Sequence, residues 1–311
     1  MPRTSPISVH KRMIILRISW IAAGITSGVL GACSSGESGL VLGEPLPEGQ
    51  GGGATAGTGS VVSSGGTGGG SLGHAGDAGA AAAESDAGAS GATNTSSDPP
   101  WVQDACTPTL EFENRDTTAQ GQLFNDAVPD PSEIVWAASH ATCRLLYRSA
   151  SEVRPVSKIS LVVEDYAGIA GTAGNMVHLS TRYLKSEFDR GVDLRQEITG
   201  ILHFATSLVY ENTGSNTTNG PPPWMFVGLA DFVRLEAGYL DPDLRTKGGN
   251  YDSNSQATAF FLDYLLGKSP SIVHDLNQRF SATAPAWNDD VFVTLLGSDL
   301  NSLWAEYQGT F

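Results

Sequence analysis

Apolar positions recur along the second half of this chain with two different periods. Lys158-Ile-Ser-Leu-Val-Val-Glu164 and Met176-Val-His-Leu-Ser180 are short apolar runs separated by a Gly/Ala-rich turn, which predicts strands over 158–164 and 175–180. Further on, Leu194, Ile198, Ile201, Leu202, Ala205, Leu208 and Val209 fall three and four residues apart, the spacing of one helix face across 194–211. Helical spacing also covers 118–127 and 131–149. A loop rich in Gly, Asn and Pro, Thr213–Pro223, leads to a helix from about Trp224 to Gly238, and further helices are expected near 254–267, 270–281 and 298–308. Helices outnumber strands, and the strands come together ahead of the long helices. That order predicts an α+β domain.

The periodicity is missing from the first hundred residues. Arg3, Lys11, Arg12 and Arg17 make a basic start, and Ile18 to Ala32 is apolar and small, the order of an export signal over residues 1–32. Leu30-Gly-Ala-Cys33 then matches the bacterial lipobox, in which cleavage leaves the cysteine as a lipidated N-terminus. The apolar run is short for a membrane span of ~20 residues, and three acyl chains on Cys33 would exceed what stable anchoring needs. By resemblance to known lipoproteins, Ser34 after the cysteine points to the outer membrane of a Gram-negative envelope. A plain signal peptide or an uncleaved anchor is the alternative. Residues 33–100 are mostly Gly, Ala, Ser and Thr, with too little bulky apolar surface to offset the entropy of ordering. They read as a tether with a reach of roughly 40–50 Å.

The remainder, residues 101–311, is long enough to bury one core. Across the chain Lys and Arg number 18 against 33 Asp and Glu, a formal net charge of −15. That balance argues against nucleic acid or anionic lipid as a partner. With Cys33 consumed by lipid, Cys106 and Cys143 remain as an even pair in an exported domain, and a disulfide is the natural reading over two buried thiols.

Glu197-Ile-Thr-Gly-Ile-Leu-His-Phe-Ala-Thr-Ser-Leu-Val-Tyr210, followed by Trp224-Met-Phe-Val-Gly-Leu-Ala-Asp-Phe-Val-Arg-Leu-Glu-Ala-Gly-Tyr239, carries the chemistry. These segments resemble the active-site region of the basic secretory protein family, zinc peptidase-like proteins of plants and bacteria. The resemblance extends over roughly 108–311, through strand-like Lys158–Asp165 and Asn175–Tyr183, Ala257-Thr-Ala-Phe-Phe-Leu-Asp-Tyr264 and the closing Leu295–Tyr307. It implies a zincin-like α+β fold, a small mixed sheet with an edge strand beside a substrate cleft and a mostly helical C-terminal part. Asn175–Tyr183 would supply that edge, able to pair with a peptide backbone.

The resemblance also implies a helix with two histidines four residues apart, a Glu between them as general base, and a downstream Glu as third ligand to zinc. Aligned without gaps on Glu197, Thr199, Gly200 and Leu202, the histidine positions fall on Phe204 and Leu208. The base falls on Ala205 and the downstream ligand on Val227. None of the three ligand positions has a lone pair to offer, so no cofactor is expected despite the family's zinc. Asp231 occupies the place of an acid that orients a metal-bound histidine, and here reads as an ordinary helix carboxylate, solvated or paired with Arg234. His203 reads as a packed or hydrogen-bonded residue.

Three functions follow as expectations. The first is a non-catalytic, peptidase-like lipoprotein that binds a peptide, protein or glycan at the cell envelope. The second is a hydrolase working through other groups, His203, Asp231, Glu211 and Tyr251. The third is a structural envelope protein whose Trp101, Trp136, Trp224 and Trp287 serve the core.

Overall fold

The computed structural model describes residues 40–41, 98–212, 221–281 and 284–311. The export signal, Cys33 and most of the glycine-rich segment lie outside them. Helix α1 (Pro100–Ala105) opens the domain and strand β2 (Thr109–Asn114) follows, β1 being the two residues Leu40–Val41. Helices α2 (Ala119–Ala127) and α3 (Ser132–Leu146) lead to β3 (Lys158–Glu164), and then to β4 (Ala170–Ala173) and β5 (Met176–Ser180). The rest is helical: α4 (Thr181–Asp189), α5 (Leu194–Tyr210), α6 (Pro223–Glu236), α7 (Ser255–Leu266), α8 (Ile272–Gln278), α9 (Asp290–Leu296) and α10 (Leu300–Gln308).

The α+β class is what the structure has. Its sheet runs β1-β4-β5-β3-β2, with β3 parallel to both β2 and β5 and β4 antiparallel to β5 and to β1. Lys158-Ile-Ser-Leu-Val-Val-Glu164 suits the centre, because a strand flanked on both sides by parallel partners is covered and tolerates a near-continuous apolar run.

Three strands escaped the sequence reading, β1 being two residues inside the stretch read as a tether. β2 was hidden by its acids, Glu111 and Glu113, which stay exposed on the sheet's rim. β4 is Ala-Gly-Thr-Ala, with too few β-formers to stand out from the turn around it. This corrects the expected edge. Met176–Ser180 is interior, residues 181–183 begin α4, and β4 lies outside β5.

Capping explains where the helices start. Asp193 accepts from the Gln196 amide at 3.2 Å to open α5, Ser180 from Tyr183 at 3.2 Å to open α4, and Asn254 from Ala257 at 2.7 Å to open α7. Pro223 takes the first position of α6, where its missing N–H costs nothing. Helix α5 packs on α3 and α6 and lies against β4, and α6 in turn packs on α7. Surrounded in this way, α5 is buried on every side from Ile198 onward, Arg195 and Gln196 of its first turn staying exposed. A disulfide joins Cys106 at the end of α1 to Cys143 in α3.

The tryptophans divide differently from the expectation that all four serve the core. Trp101, Trp224 and Trp287 are partly buried against it, whereas Trp136 is 38 % exposed and donates its indole N–H to the Pro108 carbonyl at 3.0 Å.

Candidate functional site

The faces of α5 and α6 that meet away from the main core carry the positions singled out by sequence. Phe204 and Leu208, one turn apart on α5, pack with Ala230 and with half-buried Phe226 and Val227 of α6. This small apolar cluster is separate from the main core, which takes Ile198, Ile201, Leu202, Ala205 and Val209 from α5. The tertiary structure thus brings Phe204, Leu208 and Val227 to one place, with buried Ala205 beside Phe204 in the same helix. Chemically the place offers carbon and hydrogen only. Packing it stabilises by burial, on the order of 1.5–3 kcal/mol for each large side chain fully removed from water.

β4 closes one side of the region. Thr172 points its hydroxyl at the carbonyl of Ala205, 3.5 Å away, so the strand runs directly alongside the aligned base position.

Of the two expectations for Asp231, solvated or paired with Arg234, the first is corrected. It is not solvated: the residue is 1 % exposed, and neither carboxylate oxygen has a hydrogen bond. Arg234 is its nearest cation, Nη1 to Oδ1 at 3.7 Å. Burial pushes the Asp231 pKa up, and Arg234 and Ser255 pull it down by less. The reason is position, since α6 is covered by α5 on one side and α7 on the other.

The Arg234 guanidinium is itself buried, and its Nε donates to the Tyr239 carbonyl at 3.1 Å. Gly200 makes room for it, because a Cβ there would come 3.0 Å from Nε. His203 stacks on Tyr239 with ring centroids 4.7 Å apart, and its Nδ1 lies 2.8 Å from the Thr199 carbonyl. Burial holds its pKa down, to about 4, so the ring is neutral under ordinary conditions. From sequence, the i,i+3 spacing of Asp231 and Arg234 offered their pairing as one alternative, whereas the approach of Tyr239 to Arg234 and His203 was missed.

Glu211 ends α5, fully buried, with Oε1 accepting from the Ser207 hydroxyl at 3.0 Å and Oε2 without a partner. Burial raises its pKa well above the ordinary 4.5. Tyr251 packs between Trp224, tilted with ring centroids 4.9 Å apart, and Trp304, edge-on at 6.3 Å. His203 and Asp231 are thus linked through Tyr239 and Arg234, whereas Glu211 and Tyr251 each have neighbours of their own. Among the described residues, no group of three or more His, Cys, Asp or Glu is placed to hold a metal ion.

No curated protein and no solved structure matches the chain. A family model described as peptidase of plants and bacteria, BSP, matches residues 107–307, from the end of α1 through almost all of α10. With nearly the whole domain matched, including α5 and α6, the chain belongs to the BSP family, peptidases of plants and bacteria.

Proposed function

We propose that this peptidase-like protein is non-catalytic and binds an extended peptide along the β4 side of the α5–α6 region. The observation that carries the reading is the convergence of Phe204, Leu208 and Val227 in one apolar cluster. The family's zinc needs nitrogen, sulfur or oxygen donors, and the residues present do not fit it. Asp231, next in sequence to Ala230 of the cluster, lies buried against Arg234 with its pKa raised, which favours a structural group over a base. Retention of a strand beside the region supports binding, since main-chain hydrogen bonding to a sheet edge needs no catalytic group. A basic export signal and Leu30-Gly-Ala-Cys33 support anchoring of the exported chain to the envelope through lipid on Cys33.

Metal analysis of the purified mature chain and a peptide-cleavage assay test this. We expect no stoichiometric zinc and no cleavage that a chelator abolishes. One zinc per chain, lost in Leu208→Asp but retained in a surface variant, would overturn the reading. The converse variant, Phe204→His with Ala205→Glu, Leu208→His and Val227→Glu, should gain a zinc site. A folded quadruple variant that binds no zinc would sink the alignment on which the reading stands.

A further inference from the structure

The two edges of the sheet are protected by different means. β2 carries Glu111 and Glu113 on its exposed rim, with Lys158 2.9 Å from Glu111 and Arg115 2.9 Å from Glu113. Charges on an outer strand discourage pairing with another chain. β4 has no such device. Ala170-Gly-Thr-Ala173 contains no charge and no proline, and its small side chains let another backbone approach closely. What lies along it is a strand from the chain itself: β1 pairs antiparallel with β4, Leu40 opposite Thr172 and Val41 opposite Gly171. Thr172 is also the residue whose hydroxyl faces the Ala205 carbonyl, so β1 runs along the edge that borders the α5–α6 region.

The sequence of the occupant fits. Leu40-Val41-Leu42, bracketed by Gly39 and Gly43, is the sole run of three large aliphatic residues between Ser34 and Pro100. Aliphatic and β-branched residues favour extended pairing, whereas the Gly, Ala and Ser around them do not.

We propose that the β4 edge is an interaction surface for an apolar extended peptide, and that its resident occupant is the chain's own Leu40–Val41 segment, which a free peptide must displace. The inference rests on the peptide-binding reading above and adds regulation to it. Two residue pairs make a weak ladder, each hydrogen bond contributing about 1 kcal/mol net. Attachment compensates, because the fifty-six residues between Val41 and Asp98 keep the segment at an effective concentration on the order of millimolar. Such an occupant covers the edge in the resting protein and yields to a longer peptide with more pairs to form. A free peptide then binds with an apparent affinity lowered by the fraction of edges already covered.

The test uses the mature chain in detergent, with and without Val41→Pro, which removes an amide donor and disfavours pairing. The probe is the end-capped, fluorescein-labelled hexapeptide Ser-Gly-Leu-Val-Leu-Gly, and hydrogen exchange of Ala170–Ala173 is followed in parallel. We expect faster β4 exchange in Val41→Pro and about three- to tenfold tighter binding of the probe. Equal probe affinity in the two proteins, with equal β4 exchange, would overturn the resident occupant while leaving peptide binding in place. Faster exchange in the variant with no probe binding to either would uphold the intramolecular pairing and overturn the peptide-binding reading. No binding and no change in exchange would end both.

Discussion

Glu211 shows how one residue can set a pH dependence without touching any chemistry. Its carboxyl is fully buried at the end of α5, one oxygen taking a hydrogen bond from Ser207 and the other taking none. Burial raises the folded pKa well above 4.5, so the folded protein holds this proton more tightly than the unfolded chain does. Stability from this group is therefore greatest below the unfolded value near 4.5, falls as pH rises toward the folded pKa, and stays reduced above it. Gln at this position keeps an acceptor for Ser207 and has no charge to form. Glu211→Gln should gain on the order of 1–3 kcal/mol at neutral pH, the cost of an unmet buried polar group. The gain over the native protein should shrink as pH is lowered, as read by urea unfolding across a pH series. Parallel profiles for the two proteins would show that Glu211 does not titrate as its burial requires. Asp231 shifts in the same direction, but Arg234 stands beside it, and its removal would strand a buried guanidinium. That makes Glu211 the cleaner probe.

At the scale of elements, the approach of α6 to α7 holds the α5–α6 face in place. Gly228 lets the two helices approach closely: a Cβ there would lie 2.2 Å from Thr258 Cγ2 and 2.4 Å from its Cβ. Neither atom can swing away freely, because the Thr258 hydroxyl is tied to the Tyr251 carbonyl at 2.7 Å. Gly228→Ala should therefore push the helices apart and cost about 1–3 kcal/mol, the usual range for overpacking. Since Gly228 follows Val227, the same variant should loosen the Phe204–Leu208–Val227 cluster, measurable as faster hydrogen exchange in α6. Unchanged stability and exchange in Gly228→Ala would mean that the helix contact is softer than its geometry indicates. The sheet teaches a related lesson about elements. β3 could be read from its own residues, whereas β4 exists because β5 and β1 supply partners for four residues that would not pair by preference alone.

For the whole molecule, the proposed lipid at Cys33 and the pairing of Leu40–Val41 act together. Cys33 lies seven residues before Leu40, so a paired β1 would keep β4 within about 25 Å of the acyl attachment point. Released, the same chain would run to Asp98 and reach roughly 40–50 Å. Cys33→Ala should abolish lipid labelling and release the protein from the membrane fraction. A variant that stays with membranes after a salt wash would make residues 13–32 an uncleaved anchor instead. Much of this organisation was legible beforehand. The 3.6-residue spacing along α5 is a local signal, and local signals survive without tertiary context. The gapless alignment likewise picked out Phe204, Leu208 and Val227 before any geometry was known. Other features depend on which segments meet. For Asp231, solvent or pairing with Arg234 stayed open, since helical spacing says which residues share a face and not whether another helix covers it. Met176–Ser180 was expected at the sheet's edge, because the residues that displace it inward, Ala170–Ala173, carry almost no strand preference. The sequence by itself determined the α+β class, the helix faces and the apolar chemistry of Phe204, Leu208 and Val227, because period and side-chain chemistry are properties of the chain alone. Only the tertiary structure decided that those positions converge, that Asp231 and Glu211 are cut off from solvent, and that Leu40–Val41 lies along β4, because burial and strand partnership are set between segments distant in sequence.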